Sequence, residues 1–164
     1  MKIQKRRRRE NKTDYAKRIK LLKSGRARVI FRKTNKYLIS QYISSKQAQD
    51  KVEIGVNSKD LISYGWPKEF QGSLKSLPAA YFLGLLIGKK ITEKKLKTPI
   101  IDFGMIRNLH KTKIYSFLKG IIDSGIKIKY KEETFPDKDR IFGKHLKKDF
   151  SKIFEELKSK IEKS

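Results

Sequence analysis

Short stretches in the first third of the chain alternate apolar and polar residues, and most of the remainder shifts to a spacing near 3.6, so the order of elements is legible before any chemistry. In Arg28 to Lys33, Val29 and Phe31 share one face while Arg28, Ile30 and Arg32 share the other, which predicts a strand with one buried side. A polar turn, Thr34-Asn35-Lys36, leads into Tyr37 to Ile43, its partner in a hairpin. After a connection rich in Ser, Lys and Gln, Val52, Ile54 and Val56 alternate with Lys51, Glu53 and Gly55. This gives a third strand and an antiparallel meander.

Helical spacing brackets the meander. Upstream, Tyr15, Ile19 and Leu22 recur after Thr13, the predicted N-cap, and Ser24-Gly25 ends the segment. The pattern predicts a short helix docked by that apolar stripe, with Lys17, Arg18 and Lys20 turned elsewhere. Downstream, Ser58 is read as the cap of a brief helix ending near Tyr64-Gly65-Trp66-Pro67, and residues 67 to 76 as a loop. Pro78 suits the first turn of a long helix in which Ala80, Gly84 and Gly88 recur every fourth residue, a groove expected to bring that helix close to the sheet. Ile100 to Phe103 reads as a short strand, and Ile114, Phe117, Leu118, Ile121 and Ile122 mark a helix ending at Gly125. Residues 149 to 162 predict a charged helix with Phe150, Ile153, Phe154, Leu157 and Ile161 on one side.

Strands and helices in this order imply an α/β fold: a mixed sheet of an antiparallel meander plus a further strand, packed with helices. Three parts are expected: a basic arm over residues 1–12, a single α/β domain over 13–147, and a charged C-terminal helix over 148–164. The arm lacks apolar periodicity and is expected to be disordered in isolation, because nothing in it offsets the entropy of ordering.

Charge adds the partner. Forty-two Lys and Arg against seventeen Asp and Glu leave a formal charge of +25, which repels itself in a compact state unless a polyanion neutralises it. Residues 1–36 hold sixteen of the cations and two acids, a net of +14, so the other 128 residues carry only +11. RNA or DNA is the expected partner. A membrane is the competing polyanion, but the longest apolar run, Leu77 to Gly88, has twelve residues where a span needs about 20. No secretory signal is recognised either. The absence of cysteine excludes disulfides, thiolate zinc sites and cysteine nucleophiles, and favours an intracellular setting. His110 and His145 have no close second ligand, so neither a metal nor a cofactor is expected.

An enzyme of the carboxylate-and-metal nuclease type would share the order of strands and helices, and Asp102 sits in a suitable strand. Yet the first strand offers only cationic and apolar side chains where such a site needs its leading carboxylate, and Glu53 alone does not complete the set. Asp102 is expected instead to pair with a neighbouring base or a backbone N–H. The glycines near Lys89-Lys90 lie within or at the end of a helix, not between strand and helix, so they form no phosphate loop and the lysine pair reads as basic surface. The expectation is a binding protein, not an enzyme.

The run Arg6-Arg7-Arg8-Arg9-Glu10-Asn11-Lys12-Thr13-Asp14-Tyr15, followed by Arg18 to Gly25 and Arg32-Lys33-Thr34-Asn35-Lys36, closely resembles the universal family of large-ribosomal-subunit protein number eighteen, in its archaeal and eukaryotic branch. Further matches are Tyr64-Gly65-Trp66, Pro78-Ala79-Ala80-Tyr81 with Gly84-Leu85-Leu86, Ile101-Asp102-Phe103-Gly104, and Phe135 to Arg140 with Gly143 and His145. The order and spacing of these fragments, from about residue 6 to 146, make the likeness specific. Departures are local: Ala27 stands where a proline is common, Tyr37 replaces a frequent histidine, and Lys111-Thr112 lacks a glycine usual before that helix. The resemblance implies a structural constituent of the large subunit in cytoplasmic ribosomes. It further implies binding to 5S rRNA in the central protuberance, beside large-subunit rRNA and neighbouring ribosomal proteins that include a second 5S-binding protein.

A folded RNA presents backbone, 2′-hydroxyls and unstacked bases, to be read by cations and a few planar side chains. Arg6, Arg7, Arg8 and Arg9, preceded by Lys5, can fork onto phosphates or stack on bases, and Lys12, Arg18 and Lys20 extend that track. The hairpin tip offers Arg32, Lys33, Asn35 and Lys36, with Tyr37 able to stack on an exposed base. Tyr15 and Arg28 border these groups, and Arg140 either joins them or pairs with Asp137 or Asp139.

Overall fold

The alternating segments become a four-stranded sheet in the order β3-β2-β1-β4, from β1 (Arg28–Lys33), β2 (Leu38–Lys46), β3 (Gln49–Asn57) and β4 (Ile100–Asp102). The computed structural model describes residues 3–146 and 150–163, the side chain of Gln71 excepted, so the expected boundary at residues 147 and 148 lies outside the described residues. β1 and β2 pair antiparallel from Arg28↔Ile43 to Lys33↔Leu38, and β2 pairs antiparallel with β3. β4 lies parallel to β1, with Ile30 opposite Asp102, which makes the sheet mixed as the sequence predicts.

The polar connection expected between the second and third strands is instead more strand. Both strands continue to a two-residue turn at Gln47 and Ala48, whose φ values of 47° and 64° match the twist that a tight hairpin requires. The register shifts between Tyr42 and Ile43, which are opposite Ile54 and Val52. That irregularity breaks the alternation: Ile54 and Val56 are buried, whereas Val52, expected beside them, is 48% exposed.

α1 (Arg6–Arg9) and α2 (Tyr15–Lys23) precede the sheet. α1 is one turn, without a buried residue, in the arm expected to have no structure. α3 (Leu77–Glu93) crosses from β3 to β4, as a parallel pairing requires. Ser76 caps it by accepting from the Ala79 amide, and every residue from Leu77 to Gly88 is buried. A helix apolar on all sides belongs at the centre, and α3 has the sheet on one side and helices on the others. Those helices are α4 (Lys113–Asp123), α5 (Lys138–Phe142) and α6 (Ser151–Lys163).

The glycine groove of α3 does not face the sheet as expected; it receives α4. A Cβ at Gly84 would lie 2.1 Å from the Phe117 carbonyl oxygen, and one at Gly120 would lie 2.1 Å from the Tyr81 carbonyl oxygen, so the two backbones touch. Phe150, Phe154, Leu157 and Ile161 seat α6 in the same core, with Trp66 against Phe150 at 4.9 Å and Phe82 against Phe154 at 4.6 Å. Lys89, read as basic surface, donates to the carbonyls of Ile161 and Glu162 and so closes the C-terminus of α6. Other caps also shift. Asn57, not Ser58, caps the turn Ser58–Ile62, while Ser58 is buried and accepts from the Leu38 amide. A 3-10 turn, Lys68–Ser73, occupies the expected loop.

Gly120→Ala is expected to destabilise the chain by about 1 to 3 kcal/mol, since its methyl group meets backbone that moves only with the helix. Gly55→Ala, with nothing within 4 Å, is expected to stay within about 0.5 kcal/mol of the parent. Urea melts of both variants check this, and equal midpoints would show that α3 and α4 do not rely on glycine.

Candidate nucleic-acid interface

α2 lies over the outer face of β1, and its cap is Asp14 rather than Thr13, accepting from the Lys17 amide at 3.1 Å. The predicted stripe is covered only in part, with Tyr15 and Leu22 half-buried. Ile19 is 52% exposed, while Leu21 joins Ile30 in the wall of a cleft of about 220 Å³. Lys17 donates to the Gly104 carbonyl at 3.2 Å, and Arg18 pairs with Asp50 at 3.0 Å. Two cations expected to turn away therefore hold the helix down, and Lys20 is the one of the three left fully on the surface.

Asp50 receives one of those attachments, and Asp102, which accepts from the Gly104 amide, positions the loop that receives the other. The pivot is Arg28, 2% exposed, with a guanidinium 2.7 Å from Asp50, 3.0 Å from Ser45 Oγ and 3.9 Å from Asp102. Arg28 therefore leaves the expected RNA contacts, since its donors face inward and are held by the protein. Asp102 also accepts from Arg32 at 3.2 Å and from the Gly104 amide at 2.8 Å, as its expected pairing with a base or an N–H requires. Arg32 donates further to the Phe31 and Asp102 carbonyls, each at 2.9 Å, which fixes its plane. Gly104, at φ 61°, passes so close to that guanidinium that a Cβ would lie 2.9 Å from its central carbon.

The arm reaches the same cleft. Arg7 and Lys12 line it together with Lys17, Arg18, Arg28 and Arg32. Arg7 donates to Thr13 Oγ1 at 2.9 Å, Lys12 bonds Glu10 at 2.7 Å, and Arg6 stands 3.7 Å from Glu10. Lys5 lies over the Tyr15 ring at 4.9 Å from its centre, covering part of a side chain expected on RNA. Arg8 and Arg9 are exposed.

At the hairpin tip, Thr34 closes the loop by bonding both the carbonyl and the amide of Tyr37, and Lys75 donates to the Asn35 carbonyl at 2.8 Å. Lys33, Asn35 and Lys36 project from this pinned turn. Tyr37 is half-buried against the core, with the Lys59 ammonium over its ring at 4.7 Å from the centre. Arg140 is exposed and pairs with neither Asp137 nor Asp139, which bond Lys111 and Lys144. It comes beside Lys33, together with Arg107, Lys111 and Lys113. Sequence reasoning missed these last three, although their spacing in Arg107-Asn108-Leu109-His110-Lys111-Thr112-Lys113 was a charge signal. Among the described residues no cluster of His, Asp and Glu can hold a metal ion, and no helix is long and apolar enough to cross a membrane.

Residues 1–99 match the family described as "Ribosomal large subunit proteins 60S L5, and 50S L18". The chain is 42% identical over 155 residues to the "Large ribosomal subunit protein uL18" of Korarchaeum cryptofilum (strain OPF8), a match covering 94% of this chain and 77% of that protein.

Burial raises the Asp50 carboxyl, but hydrogen bonds from Ser45 and Arg18 and the charges of Arg28 and Arg18 outweigh it and hold the group below its ordinary range. The folded chain thus favours charged Asp50 more than the unfolded chain does. Its stabilisation is complete above the ordinary carboxylate value of about 3.9 and is lost as pH falls below that, through the depressed value. Asp50→Asn is expected to cost about 1 to 3 kcal/mol at neutral pH, less than a fully buried pair because Asp102 still faces Arg28. Urea midpoints between pH 7 and 3 check both points: the variant's acid decline is shallower, and parallel declines would remove Asp50 from the linkage.

Proposed function

From the premise that the chain belongs to the family of ribosomal large-subunit proteins comprising 60S L5 and 50S L18, we propose that it binds 5S rRNA. It helps anchor that RNA in the central protuberance, beside large-subunit rRNA and a second 5S-binding protein. As a family member it is a structural constituent of the large ribosomal subunit and not an enzyme.

The observation that carries the RNA reading is the convergence of the arm, α2 and β1 on one cleft whose lining holds six cations and two acids. The acids there are engaged: Asp102 by Arg28 and Arg32, and Asp14 by a backbone amide. What remains at the surface is positive and is carried in part by a helix and a strand that Lys17, Arg18 and Arg28 tie to the body, which suits a phosphate backbone of defined shape better than diffuse attraction to any polyanion. Arg8, Arg9, Lys12 and Lys20 contact phosphates along this side, and Lys33, Asn35 and Lys36 do so at the tip. On this reading residues 1–12 are the arm that closes on the RNA, 13–147 form the body that presents the rigid contacts, and 148–164 brace it.

Deleting residues 1–12 removes seven cations and one acid. Affinity for 5S rRNA is expected to fall, and the slope of log affinity against log salt to flatten by roughly 0.7 to 0.9 per lost phosphate contact. Titrations across salt concentrations measure this, and an unchanged slope would show that the arm binds no phosphate. Tyr37→Ala is expected to weaken binding to 5S rRNA more than to an RNA duplex of equal length. Equal losses on the two RNAs would assign Tyr37 to packing beneath Lys59.

A further inference from the structure

Alternation along β1 sends Phe31 and Lys33 to the face opposite Arg28 and Arg32, and there they border a second cleft, of about 360 Å³. The start of α3, the loop before α4 and α5 close its other sides. Two chemistries meet in it. Phe31, Leu77, Ile106 and Ile114 form an apolar floor, and Lys33, Arg107, Lys113 and Arg140 stand around that floor.

Among the described residues, Lys33, Arg107, Lys113 and Arg140 at this rim have no neutralising acid: none lines the cleft, and none of the four has a carboxylate partner. Lys111, also at the rim, is 3.5 Å from Asp137. Burial, with the charges of Lys33 and Lys75, makes the Lys113 ammonium easier to deprotonate than an ordinary lysine, as befits cations crowded without a counterion. Lys111 also takes φ 56°, a left-handed conformation that glycine adopts freely and lysine does not. A cation is held at the mouth against the local backbone preference.

We propose that this cleft seats one unstacked nucleotide of a folded RNA, its base on the apolar floor and its flanking phosphates between Lys113, Arg107 and Arg140. The volume falls within the roughly 300 to 1,000 Å³ of small-ligand sites. An exposed base needs an apolar or aromatic surface beneath it and cations beside it, and the floor and rim provide both. An acidic peptide would use the rim and leave the floor unused. The site rests on the RNA-binding function proposed above and is separate from the cleft under α2, with only β1 common to the two.

The test is an NMR titration of the isotope-labelled full chain with adenosine 5′-monophosphate, inorganic phosphate and hexaglutamate in parallel, alongside a 5S rRNA binding titration. The nucleotide is expected to shift the Ile106 and Ile114 methyl signals, with phosphate and hexaglutamate moving them far less. Arg107→Gln and Arg140→Gln, both exposed side chains, are each expected to weaken nucleotide binding severalfold. The proposal is overturned if phosphate or hexaglutamate shifts those methyls as far as the nucleotide does. It also falls if the nucleotide's shifts map to α2, or if neither Arg variant changes its affinity. A chain that seats the nucleotide here yet fails to bind 5S rRNA would sink the proposed function and leave the site standing. Binding to 5S rRNA without any shift at Ile106 or Ile114 would do the reverse.

Discussion

A single buried guanidinium organises the edge of the sheet on which the cationic surface depends. Arg28 belongs to β1, but its partners come from the β2–β3 hairpin end, Ser45 and Asp50, and from β4, Asp102. Asp50 passes the connection on to α2 through Arg18, and Asp102 passes it along β1 to Arg32. Five segments are thus joined by three guanidiniums and two carboxylates, an arrangement that leaves one positive charge uncompensated. A guanidinium suits the centre of such a network because its planar fork offers donors to several oxygens at once, which a lysine ammonium does not do with comparable geometry. Removing either carboxylate leaves a buried cation short of acceptors, so the network resists partial loss.

The same network explains how a strand of six residues serves two surfaces. Arg28 and Arg32 point to the outer face, where α2 and the arm assemble, and Phe31 and Lys33 point to the inner face, where α4 and α5 meet. Because β1 sits between β2 and β4, it is anchored on both sides by backbone pairing. The hairpin that continues it is fixed further by Thr34 and Lys75. Cations on a surface usually carry large rotamer entropy, and holding their backbone rigid reduces what must be ordered when a polyanion arrives.

The sequence made the sheet, the central helix and the aromatic side of α6 legible, because each depends on burying apolar side chains at a fixed period. It misplaced what depends on distant charge. Hydrophobic periodicity treats Arg28, Lys17 and Arg18 as groups seeking water, and only partners far along the chain, Asp50, Asp102 and the Gly104 carbonyl, make inward positions favourable. Local pattern carries no sign of such a partner. The glycines of α3 were visible as a groove, but what fills a groove is set by the complementary helix, and Gly120 of α4 is the other half of that contact. The cleft beside Phe31 was invisible for a related reason: its cations lie on a strand end, a loop and a short helix separated by more than a hundred residues.

These two kinds of arginine lead to a division of the chain's charge. Acids near β1 are committed to fixing Arg18, Arg28 and Arg32, so they are unavailable to neutralise the cations farther out on the arm, the tip and the loop before α4. A folded chain of net +25 therefore carries its repulsion at the periphery, where screening by salt is strongest, and keeps its balanced charges inside, where an unpaired one would be most costly. That placement lets the body fold on its own apolar core while leaving a surplus of positive charge outside it. A bound polyanion would then stabilise the chain by relieving repulsion as well as by making contacts, and the cations held by the protein's own bonds stand in place without it.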